Sequence, residues 1–127
     1  MPGVEELHIQ RATKVAEQLI DATLEGRAKW EPGDRRDVFV FKGENGQIHV
    51  TGPMEPGFHS IAEQYTIRMY DGRNQIIFAA TLSALDATHS LDNSYLYQRL
   101  RRLWSAVAQS GDPTIQVMDS IINELRD

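Results

Sequence analysis

The sequence has no cysteine, which excludes disulfides, thiolate metal centres and cysteine nucleophiles and is compatible with a reducing cytosol. Long apolar runs are missing too. No stretch approaches the length of a membrane span, and the opening Met1-Pro2-Gly3-Val4-Glu5-Glu6 has neither the basic nor the apolar region of a signal peptide. A cytoplasmic protein without membrane association is expected. Positive charge is in deficit: 13 Lys and Arg face 18 Asp and Glu, for a formal net charge of −5 and an isoelectric point near 5.3. Nucleic acid and anionic lipid are repelled at long range by such a chain, and neither is expected as a partner. Phosphate-binding glycine loops, nucleophile elbows, zinc-protease helices and calcium loops need spacings that this sequence does not contain. It calls for no cofactor.

What is present fits one domain spanning residues 1–127. A chain of 127 residues buries roughly two-thirds of its unfolded surface and supports one core. Its organising stretch is residues 65–82, where Asp71-Gly72 separates two β-prone runs. Asp-Gly suits a two-residue type I′ turn, which needs positive φ at both positions. That turn pairs Tyr70 with Arg73, Ile67 with Ile76 and Tyr65 with Phe78. One face then reads Tyr65, Ile67, Met69, Ile76, Phe78 and Ala80, and the other Thr66, Arg68, Tyr70, Gln75, Ile77 and Ala79. Turn chemistry and alternation agree on one buried side. A second hairpin turns at Asn45-Gly46, pairs Phe41 with Val50, and puts Phe39, Phe41, Ile48 and Val50 inside, with Val38, Val40, Lys42, His49 and Thr51 outside.

Helical spacing surrounds these ribbons. From Glu5 to about Trp30, small and apolar residues recur at Ala12, Val15, Ala16, Leu19, Ile20 and Thr23, one stripe of an α-helix. Gly26 ends this helix or lets it approach the sheet, and Trp30 lids the core. A second helix covers residues 92–110, with Leu96, Leu100, Leu103 and Val107 in line and Gly111 as its stop. Asp112-Pro113 then caps a short last helix carrying Ile115, Met118, Ile121, Ile122 and Leu125. Ser83 with Asp86 resembles a capping box. The expected fold is α+β: a first helix, a four-stranded antiparallel meander of two hairpins, and two C-terminal helices, all packed on one sheet face.

Chemistry-bearing residues are sparse. Asp86, His89 and Asp92 stand three apart and form the densest set of metal-ligand types, but capping carboxylates around a solvated histidine are the stronger reading, because spacing alone does not make ligands converge, so no metal is expected. His49 and His59 can act as acid–base groups only if a carboxylate approaches them. Arg99, Arg101 and Arg102, interleaved with Tyr95, Tyr97 and Trp104, suit a stacking surface for nucleic acid; the simpler reading puts the aromatics in the core and the arginines along its edge.

The outer sheet face carries Val38, Val40, Thr66, Arg68, Tyr70 and Ile77. This is an aliphatic and aromatic mixture with a charged rim, of the kind protein interfaces use. The expectation is a non-enzymatic interaction or regulatory module that docks a protein partner or a second copy, as a homodimer, through this face or an edge strand. Its alternative is a small-ligand or enzymatic pocket between the helices and the 52–62 loop. That loop holds Met54, Phe58 and His59, and His59 and Tyr65 would supply the polar groups.

The pattern Thr23, Gly26, Trp30 within residues 21–30 resembles the opening helix of small bacterial α+β proteins in which Thr-x-x-Gly-x-x-x-Trp precedes a β-meander. The resemblance implies a bacterial origin and the order α-β-β-β-β-α-α. It brings no activity and no site residue.

Overall fold

In the computed structural model, which describes residues 3–35, 37–53, 64–111 and 113–126, the chain forms α1 (Val4–Leu24), five strands, a 3₁₀ turn (Asp86–Thr88), α2 (Leu91–Gly111) and α3 (Pro113–Leu125). The strands are β1 (Trp30–Pro32), β2 (Val38–Lys42), β3 (Gly46–Thr51), β4 (Gln64–Asp71) and β5 (Ile76–Ser83). They make one antiparallel sheet in chain order.

The fifth strand corrects the expected count of four. α1 stops at Leu24 rather than near Trp30 because Gly26 turns left-handed, at φ 77°. The Gly26 N–H donates to the Thr23 carbonyl and the Arg27 N–H to the Ala22 carbonyl, which closes the helix with a Schellman motif. The released residues extend as β1, pairing Trp30 with Phe41 and Pro32 with Phe39. Pro32 lacks a ladder donor and is tolerated because β1 is an edge.

Both hairpins depart from their expected registers, and apart from Ile76 their inner residues keep the expected face. In the first, Phe41 pairs with Ile48 and Phe39 with Val50. The turn is therefore Glu44-Asn45, closed by the Gly43 N–H donating to the Gly46 carbonyl at 2.8 Å. The slip is two residues, and an even slip leaves every side chain on its own side.

The second hairpin has a three-residue loop, Gly72-Arg73-Asn74. Asp71 Oδ1 accepts from the Arg73 and Gln75 N–H groups, at 2.9 and 3.0 Å. Asn74 takes the left-handed conformation, φ 64°, as the last residue of such loops does. Near the loop Tyr70 faces Ile76, an odd slip from the expected pairing that turns Ile76 outward. A bulge then shifts the register, so that Met69 meets Phe78 and Ile67 meets Ala80. Odd loop and odd bulge add to an even displacement, and Phe78, Ala80 and Leu82 face inward.

α1 and α2 run along one another and close over the inner face. Ala12, Ala16, Leu19 and Ile20 of α1 join Val50, Ile67, Leu96, Leu100, Leu103 and Val107 in one core. Small residues on α1 let the helices approach closely, and Arg99 Nε reaches Glu17 Oε1 at 2.9 Å across them. Gly52 lies against the Trp104 indole, where any Cβ would strike the ring. Phe39 meets the same indole at 5.5 Å between ring centroids. Trp30 Nε1 donates to Thr23 Oγ1 at 2.9 Å, tying the first strand to the first helix.

The last helix departs from expectation. α3 has its principal contact with α2 and does not join the core; Val117, Met118, Ile121, Ile122 and Leu125 are exposed, Leu125 at 79%. Its expected cap, Asp112, lies outside the described residues.

Candidate functional site on the outer sheet face

Strand pairing arranges the outer face as a lattice. One row crosses the sheet as Glu31, Val40, His49, Arg68 and Ala79; a second holds Lys42, Gln47, Tyr70 and Ile76; a third holds Val38, Thr51, Thr66 and Thr81. Directly opposed side chains in such rows have Cβ atoms about 5 Å apart, so each row is a line of contacts. Thr66 and Thr81 hydroxyls meet at 3.0 Å. The His49 and Tyr70 rings lie 4.7 Å apart, and His49 Nε2 lies 3.3 Å from Gln47 Oε1.

Residues 33–35, which follow β1, come over one end of this lattice. With Pro32, Lys42, His49 and Arg68 they line a basin of about 490 Å³ floored by Val38 and Val40. Two of its charges are matched: Lys42 Nζ sits 3.1 Å from Glu31 Oε2, and Arg35 Nε 3.4 Å from Asp37 Oδ1. Arg68 has no ion pair among the described residues. The His49 imidazole is held below its ordinary value of 6.5, first by burial and then by the Arg68 guanidinium, with Asp34 pulling the other way. Near neutral pH the ring is therefore uncharged. Its neighbour is an amide, so among the described residues no carboxylate turns it into an acid–base dyad.

The expected interface residues fare unequally. Thr66, Arg68, Tyr70 and Val38 share the outer face. Ile77, in the bulge, is 59% exposed and stands beside the exposed Ile76. Val40 also lies on the outer face and is only 8% exposed, at the floor of the basin.

Elsewhere the sparse candidates separate. Asp86, His89 and Asp92 do not converge as a ligand set; among the described residues no three metal-binding side chains do. Asp86 instead accepts from Ser83 N–H at 2.8 Å and Ser83 Oγ at 3.0 Å, while its own N–H donates to Ser83 Oγ. The expected capping box is there, and these hydrogen bonds hold the Asp86 carboxyl below its ordinary range. Tyr97 and Trp104 are in the core and Arg99 is paired with Glu17, while Tyr95, Arg101 and Arg102 are exposed on α2. Tyr65 is buried edge-on to Tyr97. Met54, Phe58, His59 and the pocket expected beside them lie outside the described residues. No described helix is long and apolar enough to cross a membrane.

Compared with family models, curated proteins and solved structures, the chain matches none.

Proposed function

We propose that the chain is a small protein-interaction module that takes a partner protein along β5 and across the adjoining outer face. β5 carries this reading. It is an edge strand of eight residues, Ile76–Ser83, with no charge and no proline. Natural sheets blunt such edges with lysine, proline, bulges or brevity. The opposite edge follows that rule: β1 has three residues, one of them Pro32. In β5 the bulge blunts only the first two residues, and residues 78–83 keep a regular ladder to β4; the Ser83 N–H is taken by Asp86 Oδ2, while residues 78–82 pair with no further strand among the described residues. A partner strand added there gains main-chain hydrogen bonds, and Ile76, Ile77, Thr81 and Tyr70 supply side-chain contacts at its margin.

The test compares proteins captured from the source organism by the native chain, by Thr81→Lys and by Tyr70→Glu. A partner held by the native chain and lost from both variants supports the module. Identical capture by all three, with the variants folded, contradicts it.

A second reading has its own observation: the outer basin sets Arg68, which has no ion pair among the described residues, beside His49, an arrangement suited to a small anion. Calorimetry with inorganic phosphate and with citrate separates the two, since the module reading expects no heat from either.

A further inference from the structure

Two surfaces of the helical layer are unfilled, and they match one another. The first is the stripe on α3. Met118, Ile121, Ile122 and Leu125 recur at the spacing of one helix face, with Val117 at its margin, and all five are exposed. On a 3.6-residue helix Asp119 falls along one edge of that stripe and Glu124 along the other. α3 has no basic residue. The second surface is a groove of about 480 Å³ between α1 and α2, lined by apolar Ile20, Leu24 and Ala106 and, among its polar residues, by Arg101 and Arg102. Neither arginine has an ion pair among the described residues. Among the described residues none from α3 lines it.

From these we infer that α3 of one copy docks in the α1–α2 groove of a second copy, and that the exchange is reciprocal. The occupant follows from complementarity. An apolar stripe edged by carboxylates meets a groove lined by apolar residues and guanidiniums, and both halves are on the same chain, the condition for a two-fold, self-complementary contact. Stable interfaces bury on the order of 800 Å² per partner; a single 13-residue helix face falls short of that, and reciprocity doubles it. An anionic membrane suits the stripe poorly, because interfacial helices carry Lys or Arg on their polar face and this one carries acid. The inference is independent of the β5 reading, since helices and outer sheet face lie on opposite sides of the molecule.

Sedimentation of the full chain over a concentration series tests it. A monomer–dimer equilibrium is expected. Ile121→Asp with Ile122→Asp weakens it at least about thirtyfold, as loss of a central apolar anchor does. Arg101→Glu with Arg102→Glu has a similar effect. Mixing the two doubly substituted chains restores one of the two contacts and gives a heterodimer weaker than the native dimer. All these positions are exposed, and unchanged helical circular dichroism confirms that the variants fold. Because the chain has no cysteine, Ser105→Cys in one copy and Ile121→Cys in a differently tagged copy report the contact directly as an intermolecular disulfide.

A monomer at every concentration overturns the inference. So does a dimer that survives both sets of charge substitutions, or binding of the native chain to phosphatidylglycerol vesicles that the α3 variant abolishes. A dimer lost instead through Thr81→Lys overturns it and assigns self-association to β5.

Discussion

Two glycines that look alike in the sequence should respond oppositely to alanine. Gly46 and Gly72 each follow a turn-forming residue, in Asn45-Gly46 and Asp71-Gly72, and a pair of type I′ corners would put both at positive φ. Among the described glycines only Gly26 has that conformation. Gly46 is required for a different reason: it sits opposite Asp71, and a Cβ there would fall on the Tyr70 carbonyl oxygen, with the Tyr70 carbonyl carbon at 3.2 Å and Asp71 Cα at 3.4 Å. These are backbone atoms, so no rotamer change relieves the overlap and β3 must part from β4 at this end. Overpacking of this kind costs about 1–3 kcal/mol, and for a domain of this size each kcal/mol lowers the melting temperature by about 4 °C. Gly46→Ala should therefore melt about 4–12 °C below the native chain. Gly72 has only the Asn45 carbonyl oxygen near its missing Cβ, at 3.9 Å, and its φ suits any residue. Gly72→Ala should leave stability unchanged or raise it by up to about 1 kcal/mol by stiffening the unfolded chain. Thermal and urea melts of the two variants decide the matter. Equal losses of about 1 kcal/mol in both would restore the type I′ corners; a native-like Gly46→Ala would refute the β3–β4 register.

Asn74→Val puts a β-branched residue at φ 64° and should destabilise by about 1–2 kcal/mol in urea, whereas Asn74→Gly should not; equal effects would remove the three-residue loop. Trp30→Phe keeps an aromatic ring, smaller than the indole, and deletes the donor to the buried Thr23 hydroxyl, a loss of about 1–3 kcal/mol whose hydrogen-bond part the double variant with Thr23→Val should recover. For His49 the folded value lies below the ordinary one, so above about pH 6.5 both states are neutral and the residue contributes no pH dependence. As pH falls through that value and then through the folded one, the unfolded chain takes the proton first and stability declines. The urea midpoint of the native chain should therefore drop more between about pH 7 and pH 5 than that of His49→Gln, and parallel profiles would show that the ring is not held neutral.

Parity explains how much was legible. The inner residues Phe39, Phe41, Val50, Tyr65, Ile67 and Phe78 are recoverable from alternation alone, because both register errors are even and face assignment is blind to an even slip. Alternation places Ile76 inside, and the structure turns it outward because it lies between the loop and the bulge, in the short span where the displacement is odd. β1 escaped notice because three residues containing a proline carry no alternation to read. The stripe of α2 predicts its burial, and the similar stripe of α3 does not, because periodicity shows that a helix has an apolar face without showing what covers it. The outer face was legible as a surface, with Thr66, Arg68, Tyr70 and Val38 together. The basin beside Val38 and Val40 is walled by residues 33–35, which belong to a loop, and loop placement has no period.

Amide hydrogen exchange along β5 tests the interaction reading most directly. With the captured partner added, the N–H groups of residues 78–82 that point away from β4 should slow, while those bonded to β4, that of Ser83, which donates to Asp86, and those of β1 keep their rates. If the outward amides of β5 exchange as fast in the complex as in the free chain, the partner binds elsewhere and the edge strand is not the site.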